Sequence, residues 1–487
     1  MVNKSDLGQR CGHGLIPALG VCFIVLFCFL RGAAGSPQDQ LPPTAAPESG
    51  SSLGAAPAQG ATPLAKLPEE TERNNPQYRA AETAARDRAS LSADAAPLEE
   101  LVREALERNP EVQAARRAVE AKRARISQAR AWPDPKLSVS YGGNLLPPFT
   151  LMGADPSSAR QISGEQEIPY PGKTRLRAEI AGREADAESL AYEAIQRRAA
   201  AEVKQTYFDL YFTDQSLSTL RKDHELLEKF EKIAEIRYGV GQAAQQDVLK
   251  AQVELSRLVE RRTLLEQTRR TFEARLNSLR DRPVDTAVAT PAEIRPNVLT
   301  YPLDDLVAAA QATYPVLKRQ RAFVESGRLS LGLAQREVRP NFMLGYTYMQ
   351  RTGLPDMYGM TFSTTLPVFR RIKQDQAIAE AAASLESARR LEANELVLLR
   401  YRLKQEFLEV QATDQLMQLF AKGIVPQSSL ALESSLATYE VGKTDFLTVL
   451  SNFTTVLDYE LAYHQQMVNR QKALARLEEL TGMDLIR

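Results

Sequence analysis

Side chains that could do covalent or metal chemistry are few. The chain has 487 residues but only three cysteines and three histidines. Cys11, Cys22 and Cys28 all fall in the first thirty positions, ahead of an expected cleavage site, so the mature chain would hold no cysteine. That leaves no disulfide, no thiolate metal site and no cysteine nucleophile. His13 would leave with the same segment. His224 and His464 stand apart on helix-forming stretches, whereas zinc wants three or four converging N, S or O ligands. No G-x-x-x-x-G-K-[ST], G-x-S-x-G or H-E-x-x-H pattern occurs. The expectation is no enzyme, no resident metal and no cofactor. Lys+Arg is 61 and Asp+Glu is 61, and this balance argues against nucleic acid as a partner, which needs an excess of cations. The remaining soft donors are thioethers. Met152, Met343, Met349, Met357 and Met360 all fall where strands and their loops are expected. Thioethers suit monovalent copper or silver, but they serve equally as packing in walls and loops. Of the five, Met343 and Met349 alone are expected on the polar face.

The elements that would position these residues begin with a leader. Lys4 and Arg10 precede an apolar run from Leu15 to Leu30, followed by Arg31-Gly32-Ala33-Ala34-Gly35-Ser36. Ala33 and Gly35 have the spacing that a signal peptidase reads, which predicts a signal peptide over 1–35. The competing reading is an uncleaved anchor, for which the run is short. Residues 36–96 are rich in Pro, Ala, Gly, Ser and Gln. Such a stretch buries too little apolar surface to offset chain entropy and reads as a flexible linker.

The rest of the chain is written twice. Pro97–Tyr141 aligns without gaps on Pro302–Tyr346 with thirteen of 45 positions identical, where composition alone would give roughly three. Further along, Lys204-Gln205 answers Lys404-Gln405, and Thr213-Asp214-Gln215 answers Thr413-Asp414-Gln415. Tyr238-Gly239-Val240-Gly241 answers Tyr439-Glu440-Val441-Gly442. This predicts a first repeat over 97–300, which includes a connector from Asp281 to Thr300, and a second over 301–487.

Each repeat reads as two short helices, a strand pair and a long helical hairpin. Pro110 suits the first position of a helix, and Trp132-Pro133-Asp134-Pro135 ends it. Leu137, Val139 and Tyr141 then alternate with Ser138 and Ser140. In the second repeat Phe342, Leu344, Tyr346 and Tyr348 alternate with Met343, Gly345, Thr347 and Met349. Period two marks strands, predicted as pairs near 136–168 and 341–367. Thr174–Arg237 contains no proline and one glycine, and a helix over it would span about 96 Å. Its counterpart, 372–438, is expected to break at Gly423 and Pro426. Two readings of the strands stand at this level. They could join those of other chains in a closed barrel, for which three chains would give twelve strands. Alternatively, they could form a sheet packed on a helical body. A periplasmic coiled-coil protein would account for the helices but not for the strand pairs.

Three local motifs, in this order within a doubled chain, resemble the TolC-type outer membrane efflux proteins. They are Ile168-Pro169-Tyr170-Pro171-Gly172-Lys173 with its shorter counterpart Leu366-Pro367-Val368-Phe369, the paired Tyr-x-x-Gly turns, and the tail Ala473–Gly482. The resemblance covers about 97–487. It implies a mainly α homotrimer, with a twelve-stranded transmembrane β-barrel in outer membrane lipid continuous with a long α-helical periplasmic tunnel. It implies a periplasmic adaptor (membrane fusion) protein and an inner-membrane pump as partners. It also implies a gate at the periplasmic helical tips. Asp247 matches an acidic gate position, and Tyr439 matches a tyrosine that can bond to it. The other reading of this pair is a surface charge and a packed aromatic. Thr448 and Ser451 stand where acidic residues are familiar in the family, and Asp445 could partly replace them. Tyr238, Gly241 and Gly442 are the expected adaptor-docking positions. The Pro-Gly-Lys junction and Leu354–Met360 resemble the heavy-metal branch more than the drug or protein-secretion branches.

Overall fold

The computed structural model describes residues 97–142, 158–289, 291, 294, 299–351 and 354–486. The expected signal peptide (1–35), the linker (36–96) and Met152 lie outside the described residues. Among the described residues, two short helices, α1 (Leu98–Arg108) and α2 (Pro110–Arg130), come first. Asn109 separates them, and its side chain caps α2 by accepting from the amides of Glu111 (2.9 Å) and Val112 (3.3 Å), the role that Asn favours at a helix start. Strands β1 (Lys136–Gly142) and β2 (Ala159–Ile168) lead into α3 (Lys173–Gly239) and its return helix α4 (Gln245–Leu279). The same order then recurs with α5 (Leu303–Thr313), α6 (Pro315–Glu337), β3 (Phe342–Arg351), β4 (Met357–Thr364) and α7 (Gln374–Leu419). A π-helical turn, Phe420–Ile424, leads into α8 (Val425–Glu440), and α9 (Phe446–Thr481) closes the chain.

α3 has 67 residues, about 100 Å of helix. Its partner run is as continuous as α3 but not as regular. The expected break at Gly423 and Pro426 is instead a π turn that stays in right-handed helical dihedrals, with Ile424 at φ −68°, ψ −48°. Pro426 falls in the first turn of α8. The wider π turn absorbs the missing N–H there, so the helix widens without ending.

The four strands form one antiparallel sheet in the order β1-β2-β3-β4. Register places Leu137, Gly164, Tyr346 and Met360 in one row, and Val139, Ile162, Tyr348 and Tyr358 in the next. With Leu344 and Phe362 they make one apolar face, and most of its side chains are exposed in the isolated chain, as with Leu137 and Val139 at 76% each. The other face carries Ser138, Ser163 and Thr347 in one row. One expectation is corrected here. Met357 lies directly opposite Met349, so it shares the polar face with Met343 and Met349, while Met360, paired with Tyr346, is on the apolar face. Strand-internal alternation orders residues within β4, but only the hairpin register says which of its faces joins which face of β3.

Matched ion pairs brace the helical body. Asp214 accepts from Arg269 Nε of α4 at 2.6 Å, and the corresponding Asp414 accepts from Arg470 Nε of α9. Both acids come from the repeated Thr-Asp-Gln triplet. Among the described residues no helix is long and apolar enough to cross a membrane.

Candidate functional site at the helical tips

α3 and α8 end in the same way because their sequences end in the same way. At the first tip the Gly241 amide donates to Tyr238 O (3.0 Å) and the Gln242 amide to Arg237 O (2.8 Å). At the second, Gly442 donates to Tyr439 O and Lys443 to Thr438 O, both at 2.9 Å. Each pair of bonds is a Schellman closure, which needs a left-handed residue. Gly241 (φ +74°) and Gly442 (φ +77°) supply it.

The two tips share one core. Leu227, Phe230 and Ala234 of α3, Ala251 and Leu258 of α4, Tyr439 of α8 and Phe446, Val449 and Phe453 of α9 pack together. Phe230 and Phe453 meet edge to face at 5.9 Å between centroids. The paired tyrosines part company here. Tyr439 is buried (3% exposed), whereas Tyr238 is 48% exposed. The Tyr439 ring lies 5.5 Å from that of Phe446, and the Arg237 guanidinium carbon sits 4.5 Å from its centroid. The Tyr439 hydroxyl is buried and makes no well-aligned hydrogen bond among the described residues.

Asp247 opens α4, with its amide donating to Ala244 O at 3.0 Å, and the helix N-terminus favours a carboxylate there. Burial nevertheless pushes its pKa up. Lys250 opposes the rise, the Asp445 charge adds to it, and Arg237 opposes it again. Tyr439 is pushed up by burial and by the Asp247 charge, with the Arg237 charge and a hydrogen bond from Arg237 opposing. Asp247 and Tyr439 are therefore electrostatic neighbours, and no hydrogen bond joins them among the described residues. Asp445, the exposed N-cap of α9, accepts from Thr448 Oγ1 at 2.5 Å, and that bond leads the causes that hold its carboxyl below the usual range. Thr448 and Ser451 are exposed on the first turns of α9, and Ser451 O accepts from the hydroxyls of Thr454 and Thr455.

Arg237 is the functional candidate that reading the sequence missed. It stands just before Tyr238, and Thr438 holds the matching place in the second repeat. A cation in one repeat facing a neutral residue in the other was the only available signal. Arg237 Nη2 donates to Gln242 O at 3.5 Å and lies 3.1 Å from where a Cβ on Gly442 would stand. It thus touches both tips.

Residues 101–280 match the outer membrane efflux protein family. No curated protein is significantly similar to the chain. Several solved structures share its fold, among them three outer-membrane proteins. The outer-membrane channel OprN aligns with a TM-score of 0.70 at 16% identity, over 79% of this chain and 89% of that one. The outer membrane protein VceC of Vibrio cholerae aligns at 0.68 and 17%, over 79% and 96%. CusC, whose structures describe transmembrane channel formation, aligns at 0.68 and 14%, over 80% and 92%. The fold is that of these outer-membrane channels.

Proposed function

We propose that this chain is the outer membrane exit duct of a tripartite efflux system in a Gram-negative bacterium. Three copies pair their sheets into a twelve-stranded barrel, and the long helices extend the pore into the periplasm. A periplasmic adaptor and an inner-membrane pump feed it, and conduction is passive, with no catalytic step. The observation that carries this reading is the sheet. Among the described residues its two edges, β1 and β4, are unpaired, and one exposed apolar face runs across all four strands. Open edges pair with other chains unless they are covered, and an apolar band of this kind suits lipid. A soluble coiled coil has no use for either feature.

The gate in this reading is the tip cluster of Asp247, Tyr439, Asp445, Thr448 and Ser451. With Tyr238, Gly241 and Gly442 nearby, the same turns meet the adaptor. Threefold symmetry turns each aspartate into a ring of three, which favours cations at the constriction. Metal cations are the cargo class, on the resemblance of Pro171-Gly172-Lys173 and of Leu354–Met360 to the heavy-metal branch, and drugs or secreted protein are the alternative. The test is fractionation. The protein should sit in outer membranes as a detergent-resistant trimer that dissociates on heating. Recovery as a soluble periplasmic monomer would overturn the proposal.

A further inference from the structure

We propose that Arg237 is a positioning residue that holds the gate closed within each protomer, by stacking its guanidinium on the face of Tyr439. The inference rests on the gated-duct reading and changes what the latch is made of. The contact that the geometry shows runs through the ring face of Tyr439.

Three observations carry it. The first is the stacking distance of 4.5 Å, inside the roughly 6 Å within which a cation is attracted to an aromatic face. The second is what else holds each partner. The Nε and Nη1 of Arg237 are buried and find no acceptor among the described residues. Nη2 has only the 3.5 Å bond to Gln242 O. The Tyr439 hydroxyl makes no well-aligned hydrogen bond among the described residues, although the Arg237 guanidinium is near enough to oppose the rise of its pKa. The closest defined contact of the cation across to the other tip is therefore the ring face. The third is position. Arg237 is in the last turn of α3, Tyr439 is in the last turn of α8, and Gly442 leaves the space that the guanidinium fills. The brace thus joins the tips of the two hairpins, so either hairpin could swing away from the other only by breaking it. Thr438 replaces arginine at the matching place, so each protomer has one such brace, and a trimer would have three.

The experiment compares Arg237→Gln, Tyr439→Leu, their double variant and Tyr439→Phe in the full-length protein. Each is read by single-channel recording in planar bilayers and by hydrogen–deuterium exchange at the two tips. Arg237→Gln and Tyr439→Leu should each raise open probability about fivefold or more. The double variant should add little to either, because both remove one contact. Tyr439→Phe keeps the ring and should stay within about twofold of wild type. If Tyr439→Phe opens the channel as far as Tyr439→Leu, the hydroxyl is the latch and the proposal fails. Exchange reads the brace without a pore. Faster exchange at both tips in Arg237→Gln supports it, and unchanged exchange overturns it. Wild-type protein that never conducts would sink the duct reading, and the exchange result would still decide whether the brace exists.

Discussion

Lys173 Nζ donates to Asn341 Oδ1 at 2.8 Å, joining the start of α3 to the start of β3 across 168 residues of chain. The same ammonium donates to Arg339 O at 2.7 Å and pairs with Glu337 at 3.0 Å, with the lysine side chain only 2% exposed. Asn341 in turn donates to Glu167 at the end of β2 and accepts from the Tyr170 amide. One buried cation thus fixes the corner where sheet becomes helix. Burial works against the Glu337 charge, but hydrogen bonds from Lys173 and Arg177 hold its carboxyl below the usual range. Removing the buried ammonium leaves the Arg339 carbonyl without its donor, at about 1–3 kcal/mol. Lys173→Met should lower thermal stability strongly, whereas Arg177→Met, at a side chain 40% exposed, should cost under about 1 kcal/mol. Equal losses on thermal unfolding would contradict the corner's dependence on Lys173.

Asp223 gives a pH prediction of definite sign. Burial and the Glu460 charge raise its pKa from 3.8 to about 6, with Lys222 opposing. Its Oδ2 is buried and has no hydrogen-bond partner among the described residues. An acid with a raised folded pKa costs nothing below its unfolded pKa, and the cost of ionising it is complete above its folded pKa. The penalty is therefore absent below pH 3.8, grows toward pH 6 and is full beyond it. Asp223→Asn should stabilise the protein by about 1 kcal/mol at pH 8, after solvent screening is allowed for. It should do nothing at pH 3.5. A gain of equal size at both pH values would show that the carboxylate charge is not the cause.

The two tip glycines should differ. A Cβ at Gly241 meets nothing within 4 Å, while one at Gly442 comes within 3.1 Å of Arg237 Nη2. Both alanine variants carry the backbone cost of a left-handed residue, about 1–2 kcal/mol. Gly442→Ala must also displace the guanidinium. It should therefore destabilise the tips more than Gly241→Ala, with faster exchange around 436–445. In an Arg237→Gln background the two variants should become equivalent. A difference that survives in that background would mean that something other than Arg237 crowds Gly442.

Much of this was legible from local pattern. Alternation placed Leu137, Val139 and Tyr141, and the repeated Tyr-x-x-Gly turns located both tips, because period and turn chemistry are local properties. What was not legible depended on long-range contacts. Nothing in the local sequence singles out Arg237, because Tyr439, which its guanidinium faces, comes from α8 in the other repeat. Lys173 was visible only as part of a motif, since its partners Arg339 and Asn341 lie in the other repeat. Met357 lies on the polar face, opposite Met349, and alternation within one strand does not reveal this because hairpin register is a long-range property. Pro426 promised a helix break that the preceding π turn removes.

Single-channel recording of the purified wild-type protein in planar bilayers tests the duct most directly. A trimer closed at its tips should insert and give a small, cation-selective conductance that rises in Asp247→Ala or loses its selectivity there. Folded protein that neither inserts nor conducts would contradict the barrel and with it the proposed function.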